Sequence, residues 1–278
     1  MLPVVFGFLA ALSTAIGLMM TKSITTRMPV WQVVGPLFFL NALLVAPAIP
    51  FGPRWQLPTT EILALHAFST VLLAAGAACV FLLITRGRAS SVSVGRAVSP
   101  VSVLLVAPVL LGTIDSPFLV VGAIVVMVGA LVPLRREFDG LSSGLTIALL
   151  AFLGLAEGTV TVLTASLALQ GVGLPEIYIV RTVVAGVIFT ALFPPKDLHW
   201  SDLKPLSTRA VFVTAGYVFT ILGVRDGDVV PVQSLWATAP LLVIFLEWMR
   251  YRVRPHTGAL VGAAVVAAGV FVLLRASL

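Results

Sequence analysis

The sequence contains one segment twice. Residues 121–135, VGAIVVMVGALVPLR, return 140 positions later at 261–275 as VGAAVVAAGVFVLLR. At that offset, residues 71–135 align with 211–275 without a gap, and 18 of the 65 aligned positions are identical. Several identities are glycine or proline, whose special backbone roles make chance agreement rarer than for valine or leucine. The chain therefore consists of two copies of one unit.

The composition places both units in a lipid bilayer. The mean hydropathy is +1.12, 59% of the 278 residues are apolar and 10% are charged, which is more apolar surface than one soluble core can bury. The net charge of +6 is spread over short basic clusters between apolar runs, so no nucleic-acid partner is predicted. Cys79 is the only cysteine, which excludes a disulfide, and the sequence predicts no metal and no cofactor.

Ten runs are long and apolar enough to cross the roughly 30 Å hydrocarbon core as helices. They are predicted at 2–21, 30–49, 62–85, 91–111, 118–134, 145–169, 177–193, 210–224, 229–248 and 257–274. The charged, glycine- and serine-rich stretch RREFDGLSSG separates the units, which we place at 1–137 and 138–278. Since five crossings is an odd number, the second unit must cross in the opposite sense. The predicted fold is an all-α integral membrane protein with ten transmembrane helices in two inverted five-helix repeats.

The basic residues predict the orientation. The links after the first, third, fifth, seventh and ninth spans hold twelve lysines and arginines, with Arg209 counted among them, and the other side holds three. Basic residues accumulate on the cytoplasmic side of membrane proteins. We therefore predict a multi-pass protein of the cell membrane, of the prokaryotic inner or plasma membrane type, with both termini outside.

Several segments carry a family resemblance. The fourth and fifth spans, SSVSVGRAVSPVSVLLVAPVLLG and VGAIVVMVGALVPL, pair a proline-centred helix with a glycine-spaced one. The ninth and tenth repeat the pair in LWATAPLLVIFLEWMRYRVRPHTGALVGAAVVAAGVFVLL, where Glu247 precedes a basic residue; GTIDSP in the first unit has no such pair. In FLGLAEGTVTVLTA, Glu157 follows a Leu-Ala pair, and Thr14 takes that place in FLAALSTAIGLMMTK. The chain resembles the drug/metabolite transporter superfamily, specifically its ten-span EamA-like transporters, and the Glu157 segment is similar to the first helix of the small multidrug resistance branch. The resemblance implies secondary transport of small metabolites or drugs, with export the commoner direction.

Ionisable residues within the spans are the first candidates for a site, because each costs roughly 2.5 to 3.5 kcal/mol to insert. Glu157 lies near the middle of the sixth span, where it either couples transport and binds substrate or is neutralised by an arginine of a neighbouring helix. Arg96 and Arg181 each lie about six residues, roughly 9 Å, inside a span and enter from opposite sides. Each either binds substrate or pairs with a structural partner. Trp236 is the repeat partner of Arg96, so both are expected to face the axis between the units.

Four weaker candidates are polar residues within spans that line a cavity or join helices by hydrogen bonds: Thr14, Asn41, Tyr217 and Gln233. No HExxH, GxSxG or GxxxxGK[ST] motif occurs, so neither an enzyme nor direct use of ATP is predicted.

Three functional hypotheses remain open. The leading one is an alternating-access secondary transporter for a small polar or amphipathic metabolite, such as an amino acid or a drug-like solute, coupled to protons or to exchange through Glu157. The alternative within transporters is an organic-anion exchanger for a phosphate or carboxylate ester, bound by Arg96 and Arg181. The alternative from another class is a membrane subunit that binds lipid or a partner without moving solute. A monomer or a homodimer is expected in each case.

A reporter enzyme fused to the C-terminus tests the orientation. We expect a phosphatase that is active only outside the cytoplasm to be active at this position, because the basic links place both termini outside. Activity in whole cells checks it, with a fusion after residue 137 as the control of opposite expected sign. If a reporter enzyme that functions only in the cytoplasm is active at the C-terminus, the predicted orientation is contradicted.

Overall fold

A computed structural model of the protein describes residues 2–25, 28, 30–51, 58–86, 92, 95–112, 116–132, 144–196, 198–225, 229–252 and 257–276. The helices are α1 (Leu2–Thr25), α2 (Val30–Val45), α3 (Thr60–Arg86), α4 (Ser99–Leu111), α5 (Pro117–Leu131), α6 (Gly144–Leu169), α7 (Leu174–Leu192), α8 (Trp200–Val224), α9 (Val229–Trp236), α10 (Ala239–Tyr251) and α11 (Thr257–Ala276), and a 3-10 helix at Ala46–Phe51 extends α2. The predicted boundary between residues 137 and 138 lies outside the described residues and stays a prediction. The side chains of Glu247 and Arg250 also lie outside the described part of the structure.

The helices account for the predicted crossings. In the described part of the chain, eight helical stretches are long and apolar enough to cross a membrane, with α9 and most of α10 forming one of them. Two shorter apolar helices, Gly95–Leu111 and Pro117–Leu131, take the places of the fourth and fifth predicted spans. A helix satisfies its own backbone hydrogen bonds, which is what a lipid environment requires of a spanning segment. The predicted all-α integral membrane fold is confirmed.

The eighth helix begins ten residues before the start predicted for it. The predicted span covered 210–224, because the residues before it are polar, whereas α8 begins at Trp200. A capping box starts the helix there: Asp202 Oδ2 accepts a hydrogen bond from the backbone N–H of His199, whose side chain accepts one from the backbone of Asp202. Arg209 therefore lies well inside a helix rather than in a link, so eleven basic residues, not twelve, support the predicted orientation.

Two helices are interrupted at matching places. A turn separates residues 95–97 from α4, and residues 237–238 separate α9 from α10. Pro100 and Pro240 follow these breaks, and they are equivalent at the repeat offset of 140. Proline has no backbone N–H and its ring collides with the carbonyl group four residues before it, so the helix is interrupted in the turn that precedes the proline. The fourth and ninth crossings are therefore interrupted at equivalent positions in the two units.

The equivalent helices α5 and α11 pack against each other and run antiparallel. A Cβ atom added to Gly129 would lie 2.7 Å from the backbone nitrogen of Val266, and one added to Gly269 would lie 2.7 Å from that of Val126. Gly129 is equivalent to Gly269 and Val126 to Val266 at the offset of 140, so the two contacts are related as a twofold axis requires. The residue numbers of the partners fall along one helix as they rise along the other. The two units are therefore inverted.

The remaining helix contacts follow the same twofold symmetry between the two units. α2 packs antiparallel on its equivalent α7, where the ring of Phe38 stacks on Phe189 at a centroid distance of 5.9 Å and Trp31 stacks on Phe193 at 5.3 Å. α1 packs on α8, and α6, the equivalent of α1, packs on α3, the equivalent of α8. Likewise α4 packs on α6, and α9 and α10 pack on α1. The first helix of each unit is thus held by helices of the other unit, and the two units interlock around α1 and α6.

Substitution of the glycines at the α5–α11 contact tests this packing. Gly129→Ala and Gly269→Ala should each lower the free energy of unfolding by about 1–3 kcal/mol, because the added methyl group meets backbone that cannot move aside. Gly144→Ala is the matched control, since a Cβ there meets nothing within 4 Å. Unfolding in mixed detergent micelles measures the difference. Equal stability of all three variants would contradict the close approach of α5 and α11.

Candidate functional site

A buried cavity lies between the two units. Residues of α1, α2, α3, α6, α7, α8 and α9 line it, together with Arg96 from the segment before α4. Much of its wall is apolar, with Leu18, Leu37, Phe38, Leu73, Phe81 and Ile221 among the lining residues. The cavity volume is about 90 Å³, and one buried water needs about 10–15 Å³ on the same measure. The cavity therefore has room for several waters or for a small solute.

Four residues from both units meet in what we term the central cluster: Arg96, Glu157, Thr14 and Trp236. Arg96 Nε donates to Glu157 Oε1 at 2.9 Å, and these side chains are only 10% and 8% exposed. The Arg96 guanidinium carbon lies 5.6 Å from the centroid of the Trp236 ring. Trp236 Nε1 in turn donates to Thr14 Oγ1 at 2.8 Å. Every link in this chain of contacts joins one unit to the other.

The central cluster has the symmetry of the fold. Arg96 and Trp236 are equivalent at the offset of 140, and Thr14 and Glu157 occupy equivalent places in the first helices of their units. The ion pair of Arg96 with Glu157 and the hydrogen bond of Trp236 with Thr14 are therefore the same contact made twice, once with charged and once with neutral groups. Arg96 and Trp236 lie against each other, as expected for two residues that face the axis between the units.

Arg181 is held by neutral hydroxyl groups. Its Nε donates to Ser69 Oγ at 2.8 Å and its Nη1 donates to Thr164 Oγ1 at 2.6 Å. The third nitrogen, Nη2, is buried and has no hydrogen-bond partner among the described residues. Arg181 itself is 5% exposed and lines the cavity. Its positive charge is therefore anchored in position but not neutralised by these contacts.

Arg209 is a cavity residue that the sequence reasoning missed. It is 8% exposed, its Nε donates to Thr21 Oγ1 at 2.6 Å, and its guanidinium carbon lies 5.5 Å from the centroid of the Phe81 ring. The sequence predicts a link at this position, because the polar run before residue 210 hides the start of α8. One signal was available: Arg209 aligns at the offset of 140 with Ser69, which lies deep in the third predicted span.

The other predicted residues divide between the cavity and the contacts among helices. Tyr217 lines the cavity, with its ring 5.9 Å from that of Trp236. Asn41 also lines it, and its Oδ1 accepts a hydrogen bond from Thr214 Oγ1 at 3.3 Å. Gln233 is fully buried and is absent from the cavity wall.

Gln233 joins three helices instead. Its Nε2 donates to Ser99 Oγ at 2.6 Å and its Oε1 accepts from Thr161 Oγ1 at 2.8 Å. These bonds connect α9 to α4 and α6, so of the two roles expected for Gln233 the structure supports the joining of helices.

The charges of the cavity wall do not balance. Among the described residues, its wall holds three arginines, Arg96, Arg181 and Arg209, but a single carboxylate, that of Glu157. Glu157 is already paired with Arg96. Two positive charges therefore face the cavity without a carboxylate partner among the described residues, and the arrangement suits a negatively charged group.

Fold and cavity together define an integral membrane protein in which two inverted five-helix units enclose a buried, arginine-rich cavity. The sequence matches the EamA-like transporter family over residues 1–135 and again over residues 143–275. The chain belongs to that family, and the predicted membership of the drug/metabolite transporter superfamily is confirmed. The family is one of membrane transporters and not of enzymes.

A solved crystal structure shares the fold. It superposes with a TM-score of 0.77 over 99% of this chain and 98% of its own, at 18% sequence identity. No curated protein matches the sequence. The family and the fold are thus shown, and the substrate has to be inferred from the cavity itself.

A double-mutant cycle tests the central ion pair. Glu157→Gln should lower the free energy of unfolding by about 3 kcal/mol, because it leaves the buried charge of Arg96 without its partner. The double variant Arg96→Gln/Glu157→Gln should lose less than the sum of the two single variants. Glu61→Gln is the matched control: its exposed carboxylate accepts a hydrogen bond from Gln170 Nε2 at 2.8 Å, which a glutamine oxygen can also accept, so stability should change by less than about 1 kcal/mol. Additive losses would show that the pair is not coupled.

Proposed function

We propose that this protein is a secondary transporter that carries a small amphipathic organic anion across the cell membrane by alternating access, with both termini outside. The excess of arginine over carboxylate in the cavity wall is the observation that carries the proposal. This favours the organic-anion hypothesis among those that the sequence left open.

The argument rests on the cost of buried charge. A guanidinium group removed from water has to be compensated by an anion or by hydrogen bonds, and neutral hydroxyl groups compensate it only in part. Arg181 retains one buried nitrogen without a partner among the described residues. A carboxylate, phosphate or sulfonate group would supply both the missing acceptor and the missing charge. The apolar part of the wall, which includes Leu37, Leu73 and Ile221, suits the body of the same solute.

Exchange follows from the same charges. When the units rock, the cavity has to pass through a state closed to both faces. Without a bound anion, that state encloses two positive charges without carboxylate partners, whereas a bound anion compensates them. Reorientation is then faster for the loaded than for the empty protein, which is the property of an exchanger. Arg96 takes part in binding to the degree that the solute competes with Glu157 for it.

A second candidate is proton-coupled transport of a zwitterion such as an amino acid. Glu157 Oε2 is buried and has no hydrogen-bond partner among the described residues, so this oxygen is open to a proton or to an ammonium group. In that case Glu157→Gln abolishes the response of transport to a pH gradient in proteoliposomes. If the pH-driven transport of the parent protein persists in the variant, Glu157 has no coupling role.

A ligand panel tests the sign of the charge. Benzenesulfonate, phenylalanine and phenethylammonium share an aromatic body and differ in net charge, and inorganic phosphate lacks the body. Only ligands that bind raise the melting temperature of the detergent-purified protein. We expect benzenesulfonate to raise it, and Arg181→Gln to weaken that effect about tenfold in apparent affinity, while Arg275→Gln on the exposed end of α11 leaves it unchanged.

Two outcomes would contradict the proposal. Stabilisation by phenethylammonium but by none of the anions would show that the cavity selects cations. Stabilisation by no solute, together with an absence of counterflow for the whole panel, would favour a membrane subunit that moves nothing.

A further inference from the structure

The two arginines without carboxylate partners lie on opposite sides of the central cluster. Thr21, which accepts a hydrogen bond from Arg209, comes seven residues after Thr14 on α1, and Thr164, which accepts one from Arg181, comes seven residues after Glu157 on α6. Seven helical residues span about 10 Å. Since α1 and α6 are equivalent helices of inverted units, they run in opposite senses. Arg209 and Arg181 are therefore displaced by about 10 Å towards opposite membrane faces.

The two positions are built alike from different helices. In each, the arginine donates to a threonine of the first helix of a unit: Arg181 on α7 to Thr164, and Arg209 on α8 to Thr21. Arg181 lies on the second helix of its unit and Arg209 on the third, and the equivalent of Arg209 at the offset of 140 is Ser69. Duplication of one arginine does not explain the pair, because neither arginine aligns with the other. Each membrane face therefore has one arginine displaced towards it, although the two arginines are supplied by different helices, α7 and α8.

The surroundings of both arginines suit transient occupation by an anion. Neither has a carboxylate within ion-pair distance among the described residues, and both line the cavity. Hydroxyl and aromatic partners fix the guanidinium groups without cancelling their charge, namely Ser69 and Thr164 for Arg181, and Thr21 and Phe81 for Arg209. Arg96 differs, because Glu157 holds it at 2.9 Å. The compensated arginine is central and the uncompensated ones flank it.

We infer that Arg181 and Arg209 form two separate anion stations, one towards each membrane face, between which the transported anion passes across the Arg96–Glu157 pair. This inference rests on the proposed function, since it assigns two positions within one cavity to the same anionic solute. Each station binds through one guanidinium group, and the anion moves by exchanging one arginine for the next. A single central site would need both charges at the same depth.

Charge-selective thiol labelling tests the two stations without knowledge of the solute. Val213 lies one helical turn from Arg209 on α8, Val160 lies one turn from Thr164 on α6, and both line the cavity. In a Cys79→Ala background, Val213→Cys and Val160→Cys are labelled separately with sulfonatoethyl methanethiosulfonate, an anion, and with its trimethylammonium analogue, a cation. Each rate is divided by the rate with free mercaptoethanol. The quotient of the two normalised rates reports the local potential at each position.

The expected result is a crossed pattern. The parent protein should favour the anionic reagent at both positions. Arg209→Gln should lower this preference about three- to tenfold at position 213 and less than twofold at position 160, and Arg181→Gln should do the reverse, because the potential of one charge falls off over about 10 Å. Arg209→Lys and Arg181→Lys, which keep the charge, should preserve the preference and thereby separate charge from folding. Arg275→Gln should alter neither position.

Three outcomes overturn the inference and each is distinct. Equal losses at both positions for either Gln variant mean one shared site, which leaves the proposed function intact. If the cysteine at position 213 or 160 reacts with neither reagent, that position is closed to water and cannot be part of an anion station. A preference of the parent protein for the cationic reagent at both positions overturns the proposed function as well.

Discussion

The ion pair between Arg96 and Glu157 is the interaction on which the centre of this structure depends. It joins the fourth crossing of one unit to the first crossing of the other at 2.9 Å, with both side chains nearly inaccessible. A buried pair of this kind contributes little net stability compared with apolar residues, but the loss of one partner is costly. It therefore penalises any arrangement of the two units that separates Arg96 from Glu157. Trp236 and Thr14 make the equivalent neutral contact, which holds the other side of the axis at much smaller cost.

The helix breaks set this contact in place. Because Pro100 and Pro240 have no backbone N–H, the carbonyl groups four residues before them have no helical hydrogen-bond donor. These carbonyl groups belong to Arg96 and Trp236. The Ser99 hydroxyl donates to the Arg96 carbonyl at 2.7 Å and accepts from Gln233 Nε2 at 2.6 Å. The break that brings Arg96 to the axis is thus stabilised by the same polar network that ties α9 to α4. The proline is common to both units, but the supporting hydroxyl belongs to the first alone, because the equivalent of Ser99 is Ala239.

Much of the fold could be predicted from the sequence because lipid imposes simple rules. Span length, apolar composition and the odd number of spans per unit predicted ten inverted crossings, and the duplication predicted that Arg96 and Trp236 share the axis. The polar network was harder, because residues such as Thr21 and Arg209 are 188 positions apart and meet only through the interlocking of the units. Arg209 was missed for a local reason as well, since a capping box at His199 starts a helix within a polar run. Gln233 is the converse case: it was predicted as a site residue but does not line the cavity. A polar residue within a span joins helices as readily as it lines a cavity, and the sequence does not distinguish the two roles.

A symmetric scaffold with asymmetric charges explains why the two units were not kept identical. If both units carried the same polar residues, the axis would bring like groups together, and two arginines at the position of Arg96 would repel each other. Replacement of one by Trp236 turns that repulsion into a contact between a guanidinium group and an aromatic face at 5.6 Å. Glu157 opposite Thr14 likewise supplies one carboxylate rather than two. The divergence of the units at these positions therefore leaves one compensated charge at the centre, while Arg181 and Arg209 keep their charges available on either side.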